Sequence, residues 1–238
     1  MSQNHLILTN DDSIHAEGML ALERALLGEG WQVTVVAPAE VMSMCGHRIT
    51  TESPLRVTSM DERRYAVHGT PADCVRLALT SLCQRPPQWV ISGINHGGNL
   101  GADMVVSGTV AAVREAAYAG VPGIALSHYK KRDLDFDWSF AAKCAVETVT
   151  ELFADDSLAK GSYWNVNLPH VIPSEAIPER VHCEPSKCPL PVVFDELLSQ
   201  GEDRLFAYAG VYADRERETN SDIDVCFGGR IAVSKLSL

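Results

Sequence analysis

The stretch HLILTNDD, residues 5–12, joins a short apolar run to a polar turn with two adjacent carboxylates. The run from His5 to Thr9 is rich in β-forming residues and is typical of a buried strand. A helical pattern follows over Glu17 to Leu27, and Trp31 to Ala37 again has the composition of a strand. Strand, helix and strand in this order are typical of a βαβ unit, so the sequence predicts a parallel sheet.

The same alternation of patterns continues to about residue 170. Further predicted strands cover Tyr65 to Val67, Gln88 to Ser92, Val121 to Ser127 and Tyr163 to Asn167, and further helices cover Thr70 to about Cys83, Thr109 to Ala119 and Phe136 to Phe153. Because strands alternate with helices along the chain, we predict an α/β fold. Its form should be a three-layer, Rossmann-like, doubly wound and mostly parallel sheet.

The character of the chain changes after Leu168. Six prolines interrupt residues 169–191, and the next predicted strands, Leu205 to Ala209 and Arg230 to Val233, are short. Proline is excluded from central strands, so this region is unlike the first part of the chain. We therefore predict one domain over residues 1–238, with a core of about 1–170 and a β-rich C-terminal extension of about 171–238.

Composition and charge limit the classes of partner. The 238 residues are 46% hydrophobic, which is ordinary for a globular protein. The formal net charge of −11 repels phosphate backbones, so binding to long nucleic acids or to anionic membranes is disfavoured. The sequence shows neither a signal-peptide pattern nor a run approaching ~20 apolar residues. With seven irregularly spaced cysteines, the expected location is the cytoplasm.

Three polar stretches fall where a predicted strand leads into a helix. They are the pair Asp11 and Asp12, the glycine-rich loop of residues 93–101, and the helix start Ser107-Gly108-Thr109. Such connections lie at one edge of a parallel sheet. Adjacent carboxylates suit a hard divalent cation, and the free amides of a helix start suit a phosphate. Ordinary loop and N-cap roles would also explain the aspartates and the hydroxyls.

Other site motifs are missing from the sequence. It contains no GxxxxGK[ST] phosphate loop, no GxSxG elbow, no HExxH helix and no GxGxxG dinucleotide fingerprint. The histidines lack the spacing of a helical metal site, although His15 and His96 lie in two of the polar loops. The sequence thus favours a metal beside a phosphate cradle over these alternatives.

Several motifs, mostly in the first half of the chain, occur in the same order in a known family. They are LILTNDD at 6–12, VAP at 36–38, IT at 49–50, GTPADCV at 69–75, ISGINHGGNLG at 91–101 and SGTVAA at 107–112. In these motifs the chain resembles the SurE family of stationary-phase survival proteins, which act as 5′/3′-nucleotidases. The resemblance implies a metal-dependent hydrolase that converts nucleoside monophosphates to nucleoside and phosphate.

The resemblance also implies a set of site residues. One divalent metal ion, Mg²⁺ or Mn²⁺, would be held by Asp11, Asp12, Ser43 and Asn95. The phosphate would be bound by Asn99, Ser107, Gly108 and Thr109. Either aspartate is then the candidate to accept a proton from water. The C-terminal extension would be an arm exchanged between subunits of a homodimer or homotetramer, with its terminal strands in Asp222 to Leu236.

Three residues depart from the family pattern beside this expected site. Ser13 and Met44 stand where glycine is usual, and Val106 stands where tyrosine is usual. If glycine at position 44 normally takes a positive φ, or lets the substrate approach the backbone, methionine there would strain or narrow the loop. The alternative hypothesis is therefore a catalytically weakened relative that binds nucleotide or metal without turnover. A receiver-like protein that forms a phosphoaspartate is a third hypothesis, disfavoured because a DxDxT arrangement is missing.

Overall fold

The computed structural model describes residues 4–131, 133–155, 157–198 and 203–238. Its strands are β1 His5–Thr9, β2 Gln32–Pro38, β3 Val57–Asp61, β4 Arg64–Val67, β5 Trp89–His96, β6 Gly123–His128, β7 Ser162–Leu168, β8 Arg180–His182, β9 Phe194–Glu196, β10 Phe206–Tyr208 and β11 Ile231–Ser237. Its α-helices are α1 Glu17–Gly28, α2 Pro71–Leu77, α3 Asp103–Val106, α4 Gly108–Tyr118, α5 Trp138–Phe153 and α6 Asp222–Phe227. One π-helical turn, Ala78–Leu82, extends α2, and one 3₁₀ turn covers Tyr212–Asp214.

Nine of these strands form one sheet in the order β3-β4-β2-β1-β5-β6-β7-β11-β8. Neighbouring strands from β4 to β7 in this order are parallel, and the β3–β4 and β7–β11 pairs are antiparallel. Strand β1 lies in the interior of the sheet, with its register set by Leu8 opposite both Val35 and Ile91. The predicted mostly parallel, doubly wound α/β fold is confirmed.

Helices cover both faces of the sheet and bury its apolar side chains. Helix α1 packs beside α5 on one face, and α2 packs beside α4 on the other. Successive side chains of β1 point to opposite faces of the sheet. Leu6 and Leu8 therefore belong to one core cluster and Ile7 belongs to the other. Burying one such side chain contributes about 1.5–3 kcal/mol, so β1 is anchored from both sides. Among the described residues, no helix has both the length and the apolar character needed to cross a bilayer.

The start of α2 shows how local sequence sets an element. The Thr70 hydroxyl accepts a hydrogen bond from the Asp73 amide at 3.2 Å, and Asp73 Oδ2 accepts one from the Thr70 amide at 3.0 Å. This reciprocal pair is a capping box, and Pro71 occupies the first helical position. The predicted helix start at Thr70 is confirmed.

The C-terminal region differs from the expectation of terminal strands over Asp222 to Leu236. Its first part is helix α6, because the Ser221 hydroxyl accepts a hydrogen bond from the Asp224 amide and Gly228 follows the last helical residue. Only its second part is extended, as β11. This strand lies inside the main sheet, antiparallel to β7 and parallel to β8. The sheet therefore extends beyond residue 170 and includes part of the C-terminal region.

Strands β9 and β10 form a separate two-stranded antiparallel hairpin. The predicted strand over Leu205 to Ala209 corresponds to β10. Large apolar side chains of this hairpin are exposed: Phe194, Leu197, Leu198, Leu205, Phe206 and Tyr208.

Candidate functional site

The carboxylate of Asp11 is buried at the carboxyl end of β1, with only 5% of the residue exposed. The Thr109 hydroxyl, in the first turn of α4, donates a hydrogen bond to Asp11 Oδ1 at 2.6 Å. Thr109 is itself fully buried. The first turn of α4 therefore touches the end of β1, as expected for connections at one edge of a parallel sheet.

Two more loops meet the aspartates. The Met42 amide donates a hydrogen bond to the Asp11 carbonyl oxygen at 2.7 Å, which brings the loop after β2, with Ser43, to this point. The His96 amide donates to Asp12 Oδ2 at 2.7 Å, which brings the end of β5, with Asn95, to the second aspartate. The structure thus gathers the chain segments of all four predicted metal ligands at one edge.

Gly108 sits directly against Asp11. A Cβ atom added at Gly108 would lie 2.9 Å from Asp11 Cβ, from Asp11 Oδ2 and from Cys45 Sγ. Side-chain Cβ atoms do not tolerate such contacts, so residue 108 must be glycine for α4 to approach β1 this closely. The glycine of the predicted phosphate-binding tripeptide therefore has a packing role.

Ser107 and Asn99 have partners within the protein. The Ser107 hydroxyl accepts a hydrogen bond from the Val110 amide at 3.1 Å and caps α4. The Asn99 side-chain amide donates to Ser127 Oγ at 2.7 Å. Asn167 Oδ1 accepts a hydrogen bond from the Asn99 amide at 2.8 Å, and the side chains of Asn165 and Asn167 donate to the Asn99 carbonyl oxygen.

Sequence reasoning missed the buried polar network that holds Asn99. Its other members are Ser127 at the end of β6 and Asn165 and Asn167 on β7. A signal was present in the stretch YWNVNL, residues 163–168, where two asparagines alternate with apolar residues. Side chains two positions apart share one face of a strand, so this pattern indicates a polar cluster beneath the loop.

Burial and charge raise the proton affinity of Asp11. The pKa of Asp11 is raised to about 6, mainly by burial and also by the charge of Asp12, while the Thr109 hydrogen bond acts to lower it. A bound cation would offset both the burial penalty and the repulsion between the two carboxylates.

The donor atoms present fit a hard divalent cation. Asp11 and Asp12 offer carboxylate oxygens and Ser43, which is exposed, offers a hydroxyl. The side-chain nitrogen of Asn95 donates a hydrogen bond to the Gly97 carbonyl oxygen at 2.9 Å. The side-chain oxygen of Asn95 is therefore the atom that could bind a cation. Next to Asp11, Asn10 Oδ1 is buried with no hydrogen-bond partner among the described residues.

The composition of this donor set also limits the choice of metal. Within residues 4–131, 133–155, 157–198 and 203–238, no three His, Cys, Asp or Glu side chains are grouped to hold a metal. A cation at the aspartate pair would therefore need serine, asparagine or water as further ligands. All of these are oxygen donors, which favours Mg²⁺ or Mn²⁺ over zinc.

Two of the residues that differ from the family pattern have a positive φ, a backbone conformation that favours glycine. Ser13 has a φ of 85° and Met44 has a φ of 56°. Of the two reasons considered for glycine at position 44, the structure shows the positive φ, and Met44 is 82% exposed. Val106, the third departure, precedes the cap of α4, and its carbonyl oxygen accepts a hydrogen bond from the Gly46 amide at 2.9 Å. His15, in the loop after Ser13, is exposed.

Comparison with known proteins identifies the family. The sequence model of the family described as "Survival protein SurE" matches residues 6–187. A protein of Nostoc sp. (strain PCC 7120), provisionally named a 5′-nucleotidase, is 48% identical over 97% of this chain and 98% of its own length. The protein named 5′-nucleotidase SurE from Paramagnetospirillum magneticum is 34% identical over 99% of this chain and 90% of its own length.

A solved structure shares the fold. The crystal structure of the SurE protein from Aquifex aeolicus superimposes with a TM-score of 0.86, covering 98% of this chain and 93% of that chain, at 30% sequence identity. Sequence and architecture therefore agree over nearly the whole length. The chain belongs to the SurE family.

Proposed function

We propose that this protein is a divalent-metal-dependent 5′-nucleotidase that hydrolyses nucleoside monophosphates to nucleoside and phosphate. The observation that carries the proposal is the meeting of two loops and the α4 start on Asp11 and Asp12. The names of the relatives support the reaction class. The net charge of −11 supports a small nucleotide over long nucleic acid.

The residues at this edge have separate tasks in the proposed reaction. A cation held by Asp11, Asp12, Ser43 and Asn95 would polarise the phosphoryl oxygens and lower the pKa of water. Thr109 fixes the Asp11 carboxylate through its hydroxyl. The first turn of α4, from Ser107 through Gly108 to Thr109, places the positive end of the helix dipole beside the site, where it favours the phosphate. The Asn99 network holds the glycine-rich loop on the same side.

The reaction needs a proton acceptor for the attacking water. Asp11 and Asp12 are the carboxylates at this edge, and Asp12 is oriented by the His96 amide. A carboxylate within reach of water accepts its proton as the new phosphorus–oxygen bond forms and the ester phosphorus–oxygen bond breaks. The protonated carboxyl then returns this proton to the departing oxygen, so the nucleoside leaves as an alcohol. Asn99 would assist by contacting the phosphate from the loop side.

A phosphate-release assay tests the proposal. The purified protein is given AMP, GMP, CMP or UMP with Mg²⁺, Mn²⁺ or a chelator, and we expect release only with metal. Asp11→Asn should reduce turnover by at least about a hundredfold, because positioning and charge at the reacting atoms are lost. Asp61→Asn is the matched control, since Asp61 lies on the edge strand β3 and binds the Arg63 amide. Full activity of Asp11→Asn would refute the assignment.

The strained positions favour a second candidate function, a weakened relative that binds nucleotide without turnover. A non-glycine residue at positive φ costs on the order of 1 kcal/mol, and Met44 is adjacent to Ser43. Nucleotide affinity and turnover should be measured side by side for the wild type and Met44→Gly. Tight binding without turnover, with turnover restored by Met44→Gly, would establish the second candidate.

We also propose a homodimer or homotetramer, joined through the β9–β10 hairpin and its exposed apolar side chains. A cytoplasmic location is supported by the seven cysteines, all of which are free thiols, as in proteins of reducing compartments. Cell fractionation tests the location, and gel filtration with light scattering tests the assembly.

A further inference from the structure

An aromatic cluster lies beside the aspartates, at the carboxyl ends of β5 and β6 and in the segments that follow β6 and β7. Its members are His96, His128, Phe136, Trp138 and His170. Phe136 is at its centre, stacked nearly parallel to Trp138 at a centroid distance of 4.7 Å and to His170 at 4.8 Å. His96 and His128 each make a T-shaped contact with Phe136, at a centroid distance of 4.6 Å.

The cluster is fixed on both sides. The Trp138 indole donates a hydrogen bond to Glu17 Oε2 at 3.1 Å, and a Cβ atom added at Gly18 would lie 2.7 Å from the indole ring. The buried His170 accepts a hydrogen bond from the Lys131 amide at 2.9 Å. Rings held in this way need no ordering when a ligand arrives, which favours binding.

One ring of the cluster is open to solvent next to the site. His96 is exposed, and its amide is bonded to Asp12 Oδ2. Phe136 is less accessible, since Trp138 and His170 stack on it and the Lys130 ammonium lies 5.5 Å from its centroid. Trp138 is half-buried, and His128 and His170 are buried, so the exposed ring of the cluster beside the proposed phosphate site is the imidazole of His96.

We infer that the His96 ring stacks on the base of the substrate and makes the site selective for phosphomonoesters that carry a heteroaromatic base. This inference rests on the proposed function, because it takes the phosphate to lie at Asp11 and Asp12. In a nucleoside monophosphate the ribose separates base from phosphate by only a few bonds, so the base must lie near the edge of the same site. Stacking needs a π-face and tolerates every base, which fits the exposed imidazole of His96.

Kinetics with two substrates test the inference. AMP and ribose 5-phosphate share the phosphoribosyl part, and only AMP carries a base. We expect His96→Ala to raise KM for AMP about fivefold or more, equivalent to about 1 kcal/mol of lost stacking, and to leave KM for ribose 5-phosphate unchanged. His96→Phe, which keeps a flat ring, should restore the KM for AMP. His182→Ala, on strand β8, is the matched control and should behave as the wild type.

Several outcomes would overturn the inference. Equal changes in KM for both substrates would assign His96 to the phosphate or to the loop, and unchanged KM for AMP would remove its role altogether. His96→Phe no better than His96→Ala would exclude stacking. Calorimetric titration with AMP and with ribose 5-phosphate measures the role of His96 in binding independently of turnover. If the wild type releases no phosphate, the proposed function fails, and selective weakening of AMP binding by His96→Ala still supports the inference.

Discussion

At the scale of single residues, Gly108 leaves no room for a side chain beside Asp11. A Cβ atom there would lie 2.9 Å from Asp11 Cβ, which is close to the backbone and has little freedom to move. The carboxylate and the helix start would therefore have to separate. Displacement of a reacting group by about 1 Å can cost about a hundredfold in rate.

We predict that Gly108→Ala lowers kcat/KM for AMP by on the order of a hundredfold, because it displaces Asp11. The comparison is Gly28→Ala, at the end of α1, where an added Cβ has no atom within 4 Å. This control should retain wild-type activity. Steady-state phosphate release measures both variants. Equal activity of the two would show that the Asp11 carboxylate tolerates movement.

His128 gives the protein a pH-dependent stability. It is 4% exposed, and burial lowers its pKa to about 4, with the nearby His170 and His96 acting in the same direction. Its Nδ1–H donates to the Tyr129 carbonyl oxygen at 2.9 Å. The unfolded chain takes up a proton near pH 6.5, whereas the folded protein does not until about pH 4. Stability from this residue is therefore lost as the pH falls between these values.

We predict that lowering the pH from 7 to 5 costs the wild type about 2 kcal/mol through His128. Urea unfolding at both pH values measures this, with His128→Asn as the reference because asparagine keeps a donor for Tyr129 and does not titrate. The raised pKa of Asp11 makes the folded protein more stable as the pH falls below about 6, which is opposite to the effect of His128. This contribution is the same in the wild type and in His128→Asn. An identical pH dependence in both proteins would contradict the assignment to His128.

At the scale of elements, the C-terminal region is clamped onto the loop that leads from β5 to α4. The buried Arg215 donates to Asp103 Oδ2 at 2.6 Å and to the Leu100 carbonyl oxygen at 3.1 Å. The Tyr212 hydroxyl donates to the same Asp103 oxygen at 2.6 Å. Asp222, at the start of α6, accepts a hydrogen bond from the Gly101 amide at 2.7 Å. Residues far apart in sequence thus hold one site loop.

We predict that Arg215→Met lowers the free energy of unfolding by about 3 kcal/mol, because it leaves Asp103 buried without its cation. Arg204→Met provides the comparison, since Arg204 forms an exposed pair with Glu196 on the hairpin and its loss should have no measurable effect. Chemical unfolding measures both. If the two variants are equally stable, the buried pair contributes nothing beyond a surface pair.

The elements also show what local sequence could reveal. Most strands and helices up to β7 were predictable because hydrophobic period and capping residues act locally, as at Thr70. Strand β3 and helix α3 were not predicted, since β3 is a mostly exposed edge strand and α3 has only four residues. The meeting of the site loops followed from strand direction alone. Helix α6 was missed because its six residues are too short for a periodic signal and depend on contacts with the distant Gly101. The position of β11 depends on pairing with strands distant in sequence, and such pairing gives no pattern in the local sequence.

At the scale of the whole molecule, the β9–β10 hairpin and strand β11 have different relations to the sheet. The hairpin forms its own two-stranded sheet with exposed apolar residues, whereas β11 pairs on both sides inside the main sheet. The two ends of the hairpin are close, since the Ala209 amide donates to the Val193 carbonyl oxygen at 2.9 Å. The hairpin is therefore removable without opening the sheet.

We predict that replacing residues 194–208 with two glycines leaves a folded monomer. Removing the exposed apolar surface removes the proposed contact between subunits, while the main sheet keeps all its pairs. Light scattering gives the mass, and thermal unfolding by circular dichroism reports the fold. A chain ending at residue 230 is the contrasting variant, since it lacks β11 and should lose cooperative unfolding. An unchanged oligomer after hairpin removal would show that the subunits join elsewhere.

The place of β11 between β7 and β8 has a consequence for the growing chain. During synthesis β7 and β8 leave the ribosome before residues 231–237, so β7 has a free edge and β8 has no neighbour until β11 emerges. An open strand edge is a template for pairing with other chains. Unfinished chains should therefore be prone to aggregate and to need chaperones until β11 pairs with β7 and β8.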